Sequence, residues 1–189
     1  MNKFLVVLLL AALTAAAVYA SDCSTNNSAL FNAAARGDLK LVKRALGNGA
    51  QLNCADQFGN TALHYAAKSG DLETVYYLLN KGCQVDSRNN NWNTPLHFAA
   101  EFGRRKAAMY LAARGAQIDA KDTCQMTPLM LAAKNGKLDL VQYLVAAGAD
   151  LNNCDVKCKT ALDYALESNS QAVADFLRER TAAINASMR

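Results

Sequence analysis

Identical residues recur every 33 positions along most of this 189-residue chain, and no other feature constrains its fold as strongly. Gly49, Gly82, Gly115 and Gly148 stand 33 apart, as do Gly37, Gly70, Gly103 and Gly136. Thr61, Thr94, Thr127 and Thr160 keep the same step, and so do the pairs Ala33-Ala34, Ala66-Ala67, Ala99-Ala100 and Ala132-Ala133. A fixed period of this length means a stacked array in which each unit buries its apolar face only against its neighbours. Composition agrees: 52% of residues are apolar, 19% are charged and two are proline, which excludes a disordered or collagen-like chain. The net charge of +4 is small and scattered along the sequence, so no nucleic-acid surface is expected.

Within one unit, TPLHFAAEFG (Thr94 to Gly103) reads as a helix. Thr94 can cap its start, and Pro95 suits the first turn, where its missing N–H costs nothing. Leu96, Ala99 and Ala100 form an apolar stripe at helical spacing, the alanines letting two helices approach closely. Gly103 ends the helix. A second helix follows, with Val75, Leu78 and Leu79 in one unit and Val141, Leu144 and Val145 in another. A polar stretch such as Asn152 to Lys159 then returns the chain as a turn or hairpin. Pro95 and Pro128 occupy the same slot.

TALHYAAKSGDLETVYYLLNKG, TPLHFAAEFG and TPLMLAAKNGKLDLVQYLVAAGADLN together resemble the ankyrin-repeat family, over about residues 28 to 180. The resemblance implies an all-α solenoid of about five stacked helix-turn-helix units with projecting β-hairpin loops. The expected division is a signal peptide (1–20), an N-terminal tail (21–27), a capping first repeat (28–55), three internal repeats (56–88, 89–121, 122–154), a capping fifth repeat (155–180) and a C-terminal tail (181–189). The end units depart from the pattern as caps would. The first lacks the Thr-Pro start, and the fifth has Asp163 and Asn169 in place of the usual His and Gly.

The first twenty residues stand outside the period. Lys3 supplies a positive start, Phe4 to Leu13 is a charge-free apolar core, and Val18 and Ala20 precede Ser21 in the small-residue pattern of a cleavage site. A cleaved signal peptide is expected. The alternative is a retained anchor, whose apolar run of about seventeen residues would be at the low end of the roughly 17–25 that span a bilayer. The mature chain is expected to be exported (secreted, secretory-lumen or periplasmic), free of the membrane and monomeric.

The sequence offers little chemistry. The two histidines, His64 and His97, share one repeat slot, filled later by Met130 and Asp163. The family resemblance implies that this His orders the loop and helix by hydrogen bonding. No catalytic grouping, phosphate-binding glycine loop or metal-spaced cluster is present, so no enzyme, cofactor or metal is expected. Six cysteines in an exported chain suggest disulfides. Cys83 replaces the alanine of Ala50, Ala116 and Ala149 and is expected buried and unbridged. Cys23, Cys54, Cys124, Cys154 and Cys158 fall on hairpins or the tail leading into them and are the disulfide candidates. The pairs 23/54 and 124/154 lie close to one period apart, while Cys154 and Cys158 compete at one hairpin. A zinc site from Cys124, Cys154 and Cys158 would lack a fourth ligand. Sequons at Asn26 and Asn185 mark candidate N-glycosylation sites outside the repeats.

The expected role is a non-enzymatic scaffold binding another protein on the concave face of the array. The alternative is a structural or protective protein of an oxidising compartment, with the cysteines carrying the role. Binding residues are expected where slots vary between units while stacking slots stay constant. At the hairpin tips these are Gln57, Phe58 and Asn60, then Asn90, Asn91, Trp92 and Asn93, then Met126. On the first helices they are Lys68, Ser69, Glu101, Phe102, Lys134 and Asn135. Phe58, Trp92, Phe102 and Met126 stand out as large apolar residues with no expected core to enter, Trp92 having the alternative of folding over the neighbouring finger.

Overall fold

A computed structural model describes residues 26–187, and its helices follow the glycine and threonine period. Ten helices occur among the described residues: α1 (Asn26–Arg36), α2 (Leu39–Gly47), α3 (Ala62–Ser69), α4 (Leu72–Asn80), α5 (Pro95–Glu101), α6 (Arg105–Ala113), α7 (Pro128–Lys134), α8 (Leu138–Ala146), α9 (Ala161–Glu167) and α10 (Gln171–Ser187). They pair as five helix-turn-helix units. The first helices pack in one row (α1, α3, α5, α7, α9) and the second helices in another (α2, α4, α6, α8, α10). The fold is an all-α repeat solenoid.

The local chemistry sets the boundaries. Thr61, Thr94, Thr127 and Thr160 are extended residues at the N-caps of α3, α5, α7 and α9, and Pro95 and Pro128 begin α5 and α7. Each first helix ends in a left-handed residue that turns the chain into the second helix: Gly70 (φ 80°), Gly103 (φ 66°) and Gly136 (φ 63°). In the fifth unit Asn169 takes that conformation at φ 53°, which its short amide side chain tolerates. Ala66, Ala67, Ala99, Ala100, Ala132 and Ala133 are fully buried, and their small side chains bring the first helices together. Leu63, Leu96 and Leu129 thread the same seam, each stabilising it by about 2 kcal/mol through burial.

Two expectations change. The projecting loops are not two-stranded hairpins: the described residues contain no strand, only an isolated antiparallel bridge between Ala55 and Thr61. Each loop closes as a tight finger through two backbone bonds: the base amide donates to the carbonyl four residues on (Asp56 to Asn60, Asn89 to Asn93, Asp122 to Met126, Asp155 to Lys159), and the base carbonyl accepts from the amide three residues on. The side chain at the finger's base does the work of a ladder: Asp56, Asn89, Asp122 and Asp155 each accept from the amides two and four residues on. The ends also carry more helix than expected. α1 begins inside the anticipated N-terminal tail, and α10 runs on through the anticipated C-terminal tail to Ser187. Residues 181–187 contain no Gly or Pro to stop α10, whose Val173, Ala174 and Leu177 are anchored in the core. The expected signal peptide and Cys23 lie outside the described residues, as do the side chains of Asn26 and Asn185. No helix among the described residues is long and apolar enough to cross a membrane.

Candidate protein-binding surface

The fingers are tied to one another and to the helices beneath them. The Asn90 amide donates to the Phe58 carbonyl at 2.9 Å, Thr123 to Asn91 at 3.0 Å and Val156 to Cys124 at 3.1 Å, so each finger hangs on the one before. Two histidines clamp fingers to helices. His64 Nδ1 accepts from the Thr61 amide at 3.1 Å, and Nε2 reaches the Asn93 carbonyl of the next finger at 2.9 Å. His97 repeats this with the Thr94 amide at 3.1 Å and the Met126 carbonyl at 3.1 Å. A backbone amide can only donate, so Nδ1 is bare and Nε2 carries the proton in both rings. Burial strips water from the charged ring and lowers both pKa values, that of His97 to about 4, despite the opposing pull of the carbonyls. In the fifth unit Asp163 takes the capping half of the job, accepting from the Thr160 amide and hydroxyl at 2.8 Å each.

On this frame the expected binding residues divide. Phe58 and Trp92 are 59% and 55% exposed and occupy adjacent fingers. Trp92 is left-handed, with φ 63°, in the slot that Gly59 fills one repeat earlier, and the Arg88 guanidinium stacks 5.1 Å from its ring centre. Gln57, Asn90 and Asn91 are exposed beside them, and the Asn90 side chain donates to the Gln57 carbonyl at 3.0 Å. On the helices Lys68, Glu101, Phe102, Lys134 and Asn135 are exposed and Ser69 is half-buried, with Lys68 Nζ 4.8 Å above the Phe102 ring.

Three finger residues face inward instead. Met126 is 9% exposed and joins the core. Asn60, 7% exposed, accepts from the Asn89 side chain at 2.9 Å and so joins two fingers. Half-buried Asn93 gives its carbonyl to His64. All three precede a capping threonine, so this slot points under the finger, and Met126 has a core to enter after all. The sequence reading also missed exposed residues. Val156 lies at the fingertip of the fifth unit in the slot of Gln57, and Arg88 stacks on Trp92; aligning slots by period would have found the first.

The cysteines take different places. Cys54 is disulfide-bonded. Cys83 is a buried free thiol in the alanine slot, pushed up to about 12 by burial. Cys124 and Cys158 are exposed free thiols and Cys154 is a half-buried one, so the structure does not bridge these three candidates. No three His, Cys, Asp or Glu side chains among the described residues are placed to hold a metal ion.

Comparison with known families agrees with the geometry. A family described as ankyrin repeats (3 copies) matches residues 30–122, and one described as ankyrin repeats (many copies) matches residues 110–165. No curated protein matches the sequence.

Proposed function

The chain belongs to the ankyrin-repeat family, and from that premise we propose that it is an exported, non-enzymatic, monomeric scaffold that binds another protein on the concave face of its array. The observation that carries this reading is the pair of exposed aromatic rings on adjacent, hydrogen-bonded fingers, Phe58 and Trp92. Large exposed aromatics on a rigid frame are the residues that most often dominate binding energy. Gln57, Asn90 and Asn91 supply polar groups around them, and Phe102 extends the surface onto α5. Both histidines are occupied as clamps, which leaves neither as a base. Export is supported by the Lys3-led apolar run ending in Val18 and Ala20, and by the Cys54 disulfide, a bond of oxidising compartments. That bond also favours the second reading, a protective role for the cysteines, and we propose Cys23 as its partner.

Trp92→Ala tests the leading reading. The partner is isolated by affinity capture, and its affinity is measured beside a melting curve of the same variant. Loss of about 2 kcal/mol of binding with an unchanged melt is expected of an anchor. A lowered melt with intact affinity makes Trp92 a packing residue and removes the centre of the surface. N-terminal sequencing of the exported protein should begin at or near Ser21, and Met1 intact on a membrane-bound product refutes export by cleavage.

A further inference from the structure

The turn between the two helices of each unit has a slot whose residue changes character halfway along the array. Asp38 and Asp71 fill it in the first two units and cap α2 and α4, accepting from the Leu41 amide at 3.0 Å and the Thr74 amide at 2.8 Å. Arg104 and Lys137 fill it in the next two, and neither makes a side-chain cap. The exchange gives up two N-caps and puts positive charge at the positive ends of α6 and α8, against the helix dipole. Both side chains lie flat across the preceding unit's turn. A Cβ on Gly70 would fall 2.5 Å from Arg104 Cδ, and one on Gly103 would fall 2.7 Å from Lys137 Cδ. Arg104 Nε donates to the Lys68 backbone carbonyl at 2.9 Å, which ties it to the end of the preceding unit's first helix. Arg105 and Lys106 follow on α6, and Lys134 stands two units beyond Lys68 in the same slot. All six cations are exposed, and the ion pairs among the described residues, Lys159–Glu167 and Arg178–Asp175, include none of them.

We propose that this strip, Lys68, Arg104, Arg105, Lys106, Lys134 and Lys137, docks an acidic peptide segment of the partner protein across the central repeats. The inference rests on the protein-binding reading above and names the partner's chemistry. Helices pack about 8–10 Å apart, so Lys68 and Lys134 span roughly 20 Å, the length of about six extended residues. Glu101, in the slot between them, and Asp139 beside Lys137 interrupt the positive field. A continuous phosphate backbone would meet repulsion at both, whereas a peptide can leave those positions uncharged. Phe102, under the Lys68 ammonium, offers an apolar contact that a peptide side chain can use.

The test is fluorescence anisotropy of labelled hexaglutamate with the protein. The double variant Arg104→Asp/Lys137→Asp is compared with Lys40→Asp/Lys157→Asp, which carries the same change in net charge at exposed residues elsewhere. The first double variant restores the carboxylate caps of the earlier units, so its melting temperature should equal or exceed that of the wild type. Its affinity for hexaglutamate should nonetheless fall at least tenfold, against less than threefold for the control, and binding should weaken as salt rises. Absence of wild-type binding, or equal weakening in both double variants, overturns the proposal. So does a six-nucleotide oligothymidylate that binds as tightly as hexaglutamate with the same dependence on Arg104 and Lys137. None of these outcomes touches the Trp92 reading, which stands or falls on Trp92→Ala.

Discussion

Acidification should loosen the array through His97. In the unfolded chain this imidazole takes up its proton near pH 6.5; in the fold it does so near 4, because burial disfavours the charged ring. Between those values the unfolded state binds more protons. The contribution of His97 is therefore complete above pH 6.5 and is lost as pH falls towards 4. Each pH unit in that window corresponds to about 1.4 kcal/mol, so going from pH 7 to pH 5 should remove about 2 kcal/mol. His64 is shifted the same way and adds to the loss. Asp155 and Asp163 are held below the ordinary carboxylate value by hydrogen bonds, from Tyr164 in the first case and from Thr160 in the second, so their losses come at still lower pH. Asp119 is raised by burial and acts with the opposite sign in the acid range.

The assay is urea unfolding followed by circular dichroism at half-unit steps from pH 7 to pH 5, in wild type and in His97→Gln. Glutamine three residues into α5 can still accept from the Thr94 amide, so the cap survives while the titration disappears. The variant should be less stable at pH 7 by about 1 kcal/mol, from the lost bond to Met126. It should then decline less steeply, by about 2 kcal/mol over the range. Parallel declines in the two proteins would refute the assignment of a neutral, Nε2-protonated clamp.

Other expectations follow from packing. Ala99 is fully buried between first helices, so Ala99→Leu overpacks the seam and should cost about 1–3 kcal/mol in urea unfolding; an unchanged midpoint means the alanine face is not a contact. Gly59 has φ 78°, and an added Cβ would stand 2.7 Å from the Asn90 amide nitrogen that bonds the Phe58 carbonyl. Gly59→Ala should therefore destabilise by about 1–2 kcal/mol in the same assay, and a neutral result would show that the fingers are not coupled. A thiol reagent at pH 8 should label exposed Cys124 and Cys158 in the native protein, whereas Cys83, buried and raised to about 12, should react only on unfolding. Equal rates for all three would contradict its burial.

Much of the fold was legible because each repeat states its own rules. A threonine at the helix start, an alanine pair within the helix and a glycine at the turn each have a single local cause, and each occurs four times, so the unit can be read by superposing its copies. What the copies could not show is direction at the fingertips. Met126 and Phe58 both look like stray apolar residues in a polar loop, yet one is core and the other is solvent-facing. The difference is one of slot: Phe58 stands two residues after the base residue, at the tip, whereas Met126 stands four after it, directly before the capping threonine and beneath the finger. The base residues Asp56, Asn89, Asp122 and Asp155 do keep the period, but spacing alone does not say which way the residue four places on will face.

The same base residue explains how unsuitable residues persist at the finger's left-handed slot. Trp92, Gln125 and Cys158 have φ of 63°, 62° and 58° where Gly59 has 78°. A non-glycine residue in that conformation costs on the order of 1–3 kcal/mol, and glycine would relieve it. The finger nevertheless holds its shape, because Asn89, Asp122 and Asp155 close the turn from below and a backbone bond ties each finger to its neighbour. Folding therefore sets the backbone at this slot and leaves the side chain free to vary. The residue placed there in the middle of the array is the chain's single tryptophan, exposed and backed by Arg88. Packing does not require a tryptophan at that point, whereas a contact with another protein would use one.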